Sequence, residues 1–209
     1  MIILSYKLIF LTVNSWYNIY IKKSSKKEIS VKYGGKISLN KVKESDVKTK
    51  SDEYFMREAL KEAKKAYLKN EVPVGAVIVK NNEIIARGHN VKETKKDTTK
   101  HAEIIAIQKA SKKLEAWRLE NCTMYVTLEP CTMCTGAIIQ ARLKRLVIGT
   151  MDEKTGACGS VLNLINDYEF NHKVELETKV METECKQIMK NFFKELRELK
   201  KNKNKYKRF

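Results

Sequence analysis

Two short segments carry the residues best suited to chemistry in this chain, His101-Ala102-Glu103 and Pro130-Cys131-Thr132-Met133-Cys134. Together they offer one imidazole, two thiols and one carboxylate. Zinc is well matched by an imidazole and two thiolates. With only three protein ligands it keeps its fourth tetrahedral position for water, and that water loses a proton near neutral pH. The set therefore describes a hydrolytic centre with a carboxylate, Glu103, that need not touch the metal. A purely structural zinc site would need a fourth protein ligand. The remaining candidates are Cys122, Cys158, Cys185 and His172; none sits at a short chelating spacing from the others, and there is no second C-x-x-C.

The spacing dictates what must position these groups. Cys131 and Cys134 are three apart, so a helix beginning at Cys131 puts both sulfurs on one face of its first turn, where the free amide groups favour thiolates. Pro130 suits a helix start, because it has no amide hydrogen to lose and its φ is already fixed. Val126 and Leu128 before it read as the end of a strand. Ile104, Ile105 and Ile107 form the apolar body of a second helix after His101. His101 and Glu103 are two apart and would diverge on an ideal helix, so the entry geometry of that helix must bring both to one ion. Two helix starts then converge.

The rest of the chain supplies a consistent α/β pattern. Met56, Leu60, Ala63 and Tyr67 give residues 53–69 one apolar helical face, and Val74 to Val79 is a continuous apolar run typical of a buried strand. Asn81-Asn82 reads as a two-residue hairpin turn into a strand at 83–87. Further strands are expected at 123–128, 145–149 and 173–180, with helices at 101–114, 131–142 and 181–200. Residues 52–200 make one domain with no internal repeat, and about 150 residues is enough for a core of its own. Residues 1–51 read as a basic N-terminal extension, disordered or translated from an early start, since the next methionine after Met1 is Met56. Lys7, Asn14, Ser15 and Asn18 interrupt its apolar patches, so no run of about 18 apolar residues exists to span a bilayer. It has neither the early basic region nor the small-residue cleavage site of a secretory signal, nor the arginines of an organellar presequence.

These segments resemble the zinc-dependent nucleobase deaminases, whose signature pairs H-x-E with P-C-x-x-C. The flanks narrow the resemblance. Glu71-Val72-Pro73-Val74-Gly75-Ala76-Val77, Gly88-His89-Asn90, the stretch from Asp152 through Lys154-Thr155-Gly156-Ala157 to Ser160, and Phe192-Phe193 are similar to bacterial-type tRNA-specific adenosine deaminases, from about Asp52 to about Lys200. Thr127-Leu128-Glu129-Pro130-Cys131 is shared with cytosine and guanine deaminases. The resemblance implies a three-layer α/β/α, cytidine-deaminase-like fold with a central mixed sheet of about five strands. It implies one Zn2+ per subunit on His101, Cys131 and Cys134, with Glu103 as proton shuttle. Asn90 would hydrogen-bond the target nucleotide through its amide, and Pro73 and Val74 would wall the base. Asp152 and Lys154 would lie in a loop approaching the anticodon backbone, with Phe193 and Arg197 in a terminal helix that contacts RNA. The implied activity is conversion of adenosine to inosine at the wobble position of a tRNA anticodon stem-loop, by a homodimer. At this point Asn90 is also readable as a turn residue, Pro73 and Val74 as the start of a buried strand, and Phe193 as core.

Charge bears on the choice between substrates. The net charge of +17 is uneven: residues 1–51 hold 11 basic against three acidic groups, 52–184 hold 21 against 20, and 185–209 hold 10 against two. Near the end, Cys185, Ile188, Met189, Phe192, Leu196 and Leu199 recur at helical spacing beside a stripe of Lys186, Lys190, Lys194, Arg197 and Lys201. A lysine stripe alone is an ordinary solvated face. Beside a deaminase centre, it and the basic tail at 201–209 read as a phosphate-binding surface weakened by salt, which a free-base or nucleotide deaminase acting on cytosine or guanine does not need. The third alternative, a non-catalytic zinc-stabilised RNA-binding module, would have no use for Glu103. Five cysteines, an odd number with two needed as thiolates, point to a reducing compartment, the cytoplasm. Cys122, Cys158 and Cys185 read as small core residues.

Overall fold

The computed structural model describes residues 21–23, 29–33, 36–37 and 50–206, with side chains described from 50 to 201. The chain divides into two units, residues 1–48 and 49–209. In the first, β1 (Ile21–Lys23) pairs antiparallel with β2 (Ile29–Tyr33), and β2 with β3 (Lys36–Ile37). The remainder of the expected N-terminal extension lies outside the described residues.

The second unit runs α1 (Asp52–Tyr67), β4 (Gly75–Lys80), β5 (Glu83–His89), α2 (Lys92–Lys95), α3 (Ala102–Leu114), β6 (Cys122–Leu128), α4 (Thr132–Gln140), β7 (Arg145–Thr150), β8 (Glu175–Glu177) and α5 (Glu182–Tyr206). The strands form one sheet in the order β5-β4-β6-β7-β8. β4 is antiparallel to β5 and β6, whereas β6, β7 and β8 are parallel. This is the mixed five-stranded sheet expected from the sequence.

Period-two alternation explains the three layers. Ala76, Ile78, Met124, Val126, Leu146 and Ile148 face a core shared with Ala102, Ala106 and Ala110 of α3 and Ile138 of α4. Their neighbours Val77, Val79, Tyr125 and Val147 face the opposite way, onto Phe55, Met56 and Ala59 of α1 and Cys185 of α5. Strands covered on both faces lose the polar half of the alternation, which is why β4 reads as an unbroken apolar run. Fully burying each such Val, Leu or Ile contributes roughly 1.5–3 kcal/mol, so the centre of the sheet dominates the fold's stability.

Helix placement depends on small residues. A Cβ on Gly75 would overlap the backbone of Ala59 and Ala63, so its absence lets α1 lie directly on β4; Gly88 does the same for β5 against the carbonyl of Ala102, where α3 begins. At the start of α1, Asp52 binds Arg145 through two hydrogen bonds of 2.8 Å and accepts a third from the Tyr125 hydroxyl at 2.8 Å, tying the helix to β6 and β7. The Asn81-Asn82 turn takes positive φ at both positions, 51° and 63°, as the tight hairpin between β4 and β5 requires.

Two expected boundaries move. The strand expected over 173–180 is paired only at Glu175–Glu177, and the helix expected to stop at 200 continues through six residues of the expected tail to Tyr206, while residues 207–209 lie outside the described residues. Burial also fades along α5: Cys185 and Phe192 are buried, but Leu199, expected on the apolar stripe, is 55% exposed. The stripe outruns the sheet it packs on.

Candidate metal centre

The centre lies at the start of α3 and at the junction of β6 with α4. His101 occupies the N-cap of α3 in an extended conformation, φ −80° and ψ 154°, and makes no capping bond, which leaves its imidazole free. Cys131 occupies the N-cap of α4 in the same way, φ −72° and ψ 175°, while Cys134 sits one turn on and is fully buried. The extended caps answer the problem posed by the i, i+2 spacing of His101 and Glu103, because only Glu103 is helical. His101 Nδ1 lies 3.8 Å from Cys131 Sγ and 3.5 Å from Cys134 Sγ. The three donor atoms all fall within 4.8 Å of one another. Among the described residues, no other group of three or more His, Cys, Asp or Glu side chains is so placed.

Proton affinities in this set are linked. A hydrogen bond from the Cys134 thiol, reinforced by His101, holds the Cys131 thiol down to about 4, and the same bond pushes Cys134 upward. His101 is raised, first by its bond to Cys131. Glu103 is 3% exposed, and burial raises its carboxyl. Its Oε2 has no hydrogen-bond partner among the described residues. An unpaired buried carboxylate oxygen is costly, and here it stands beside three soft donors. The residues thus fit a zinc ion carrying a hydrogen-bonding ligand.

Asn90 is buried against the same corner. Its Oδ1 accepts a 2.9 Å hydrogen bond from Ala102 N, the first amide of α3, and its backbone N–H donates to the Val74 carbonyl at 3.2 Å. One residue therefore connects the segment holding Pro73 and Val74, both buried, to the helix start holding His101 and Glu103. The loop after β7 also meets the metal-ligand segment. Cys131 pairs with Gly156 in an antiparallel bridge, and Ala157 N donates to the Pro130 carbonyl at 2.9 Å. The Asp152 carboxylate is engaged within this loop, accepting from Lys154 N at 3.0 Å and from the Thr155 hydroxyl at 2.6 Å, whereas Lys154 is exposed.

Residues 50–197 match the MafB19-like deaminases. The chain is 51% identical over 150 residues to a tRNA-specific adenosine deaminase of Bacillus subtilis, covering 72% of this chain and 93% of the relative. The chain belongs to the tRNA-specific adenosine deaminase family. A Haemophilus influenzae member is 48% identical over 156 residues, covering 74% of this deaminase and 90% of the relative. A solved structure from work on A-to-I editing by tRNA:A34 deaminases at the wobble position superposes with a TM-score of 0.63 at 41% identity, covering 65% of this chain and 98% of that one.

In this deaminase Phe193 and Arg197 stand apart from the cluster. Both are on α5, which covers the sheet face opposite α3 and α4. Phe192 is the ring that enters the core, packing edge-on against Tyr67 at 5.5 Å, while Phe193 is 39% exposed and Arg197 is exposed. Two further carboxylates carry work that sequence reasoning did not assign. Glu71, fully buried, accepts from Glu93 N at 3.1 Å and Thr94 N at 2.6 Å, and so caps α2 from outside. Glu129 binds the loop after β7. Both glutamates stand in the segments that carry the family resemblance, but nothing in their local pattern shows the distant amides they bind.

Proposed function

We propose that the protein hydrolyses adenosine to inosine at the first anticodon position of tRNA, releasing ammonia. The observation that carries this reading is the donor triad beside the unpaired buried Glu103 Oε2, in a chain similar over nearly the whole length of tRNA-specific adenosine deaminases. His101 Nδ1, Cys131 Sγ and Cys134 Sγ would hold one Zn2+ per subunit, which when bound makes water acidic enough to act as the nucleophile.

The chain's own residues do the rest. Glu103 takes the proton of the attacking water at Oε2, gives it to the ring nitrogen beside the amino-bearing carbon, then takes the proton of the hydroxyl now on that carbon and passes it to the amine, which leaves as ammonia as the carbonyl forms. Its raised proton affinity suits a group that must accept and then donate. Asn90, fixed by its bond to Ala102 N, offers its side-chain N–H donors to the nucleotide, and Pro73 and Val74 give the base an apolar wall. The bond from Asn90 N to the Val74 carbonyl, which holds this segment next to the start of α3, supports that role. The Asp152 turn presents Lys154 toward the phosphate backbone, while Phe193, Arg197 and the lysines of α5 engage RNA farther out. We assign the active form as a homodimer by kinship. We place the enzyme in the cytoplasm on its free cysteines; among the described residues no helix is long and apolar enough to cross a membrane.

Ammonia release by the purified full chain, compared between a tRNA anticodon stem-loop and free adenosine, cytosine and guanine, tests the reading. Release from the stem-loop alone is expected; turnover of a free base in preference to the stem-loop would overturn it.

A further inference from the structure

The proposed chemistry leaves one buried carboxylate beside the site unused. Glu129 is 3% exposed and precedes Pro130 and Cys131. Its Oε1 accepts from Cys158 N at 2.8 Å and Ser160 N at 3.1 Å. Its Oε2 accepts from Asp152 N at 2.8 Å and from the Ser160 hydroxyl. All four donors belong to the single segment 152–160. That segment is also held to the metal-ligand corner by the Cys131–Gly156 bridge and the Ala157 N to Pro130 carbonyl bond.

The donor set explains the residue type. An ionised carboxylate only accepts and has room for about four hydrogen bonds. A glutamine would turn an NH2 group toward two of the four donors. The space is matched as well, since a Cβ on Gly156 would overlap the Glu129 carboxylate and the Asp152 carbonyl. Within the segment, the Asp152 turn fixes residues 152–155 and leaves Glu153, Lys154 and Thr155 exposed just before Gly156, which pairs with Cys131.

We infer that Glu129 is a positioning residue, a buried anionic tie that fixes the 152–160 loop as one wall of the substrate site and sets where Lys154 stands relative to Cys131. The tie stands on the geometry alone; that the wall meets RNA rests on the proposed function.

The test uses the full-length zinc-loaded chain carrying Glu129→Gln, Gly156→Ala, or both. Amide hydrogen exchange at Asp152, Cys158 and Ser160 is read alongside zinc content and the separate kcat and KM for the anticodon stem-loop. A hydrogen bond to a charged group is worth roughly tenfold or more in an equilibrium, so exchange at the three amides should rise at least about tenfold in Glu129→Gln. KM should rise by about as much, with kcat changed less than about threefold and zinc still bound, as expected when binding alone is lost. The double variant should be no worse than Gly156→Ala alone, because that substitution already displaces the Glu129 side chain while also crowding the Asp152 carbonyl. Retained protection at the three amides, or a KM that stays at the wild-type value while only thermal stability falls, would overturn the proposal. Should Glu129→Gln fail to fold, Ser160→Ala removes only the hydroxyl bond; a KM increase of roughly two- to threefold supports the tie, and unchanged KM and exchange refute it. If the wild-type chain does not act on the stem-loop, the exchange data still decide the tie, so the two readings fail separately.

Discussion

In the proposed reaction Asn90 has two jobs, and they can be separated by substitution. Its Oδ1 accepts the first amide of α3 at 2.9 Å, a structural task, while its N–H donors serve the nucleotide in the proposed reaction. Asn90→Ala removes both. The orphaned Ala102 N–H at a helix start should cost about 1–2 kcal/mol, which in a domain of this size lowers Tm by about 2–8 °C. Asn90→Asp keeps the acceptor, and its charge faces the amide end of α3, where an anion is favourable by about 0.3–1 kcal/mol. Burial of the new charge offsets part of this gain, because Asn90 is buried, so Asn90→Asp should lose less stability than Asn90→Ala. It has no N–H to offer the nucleotide, so kcat/KM on the stem-loop should fall by at least about tenfold in both variants. Urea unfolding together with ammonia release decides the matter. An Asp variant as unstable as the Ala variant would refute the capping role, and one with full activity would refute the donor role.

Glu103→Ala should keep its zinc and its RNA affinity while turnover drops roughly a hundred- to ten-thousandfold, the range for a lost general acid–base; metal analysis, a binding titration and single-turnover rates check each part. Arg145 holds the Asp52 carboxyl below its ordinary value of 3.8, so the unfolded chain binds more protons in acid and the pair's contribution, complete above about pH 4, is lost as pH falls through the folded value. Urea midpoints of Arg145→Met should accordingly lie below the wild type at pH 7 and converge on it below about pH 4; a constant gap would show that the ion pair is not the cause. Truncation after Lys200 should flatten the dependence of log Kd on log salt by about 0.7–0.9 for each phosphate that the shortened chain no longer neutralises, and an unchanged slope would mark the tail as merely solvated.

The donor triad was legible because metal chemistry restricts residue types and because two helix starts betray themselves through Pro130 and the isoleucines after His101. The central strands were legible for a similar reason: Val77 and Ile78 face opposite layers, and a strand buried on both sides can only be apolar. What stayed hidden depends on contacts distant in sequence. α2 spans four residues with none buried, so it has no periodicity to detect, and it exists against a Glu71 carboxylate more than twenty positions earlier. Glu129 is similar, with donors 23 to 31 positions away. Phe192 and Phe193 are neighbours that α5 sends in different directions, and the sequence stripe alone could not decide how far along that helix the core extends. Leu199 shows that it ends sooner than the apolar pattern does.

The most direct measurement is the sequencing of a bacterial tRNA pool after incubation with the purified zinc-loaded chain, reading inosine as an A-to-G change at every position. The change is expected at the first anticodon position alone, in step with ammonia release, and should disappear in Glu103→Ala. Inosine elsewhere in the tRNA, or none at all from a folded chain holding one zinc ion, would contradict wobble-position deamination by this centre.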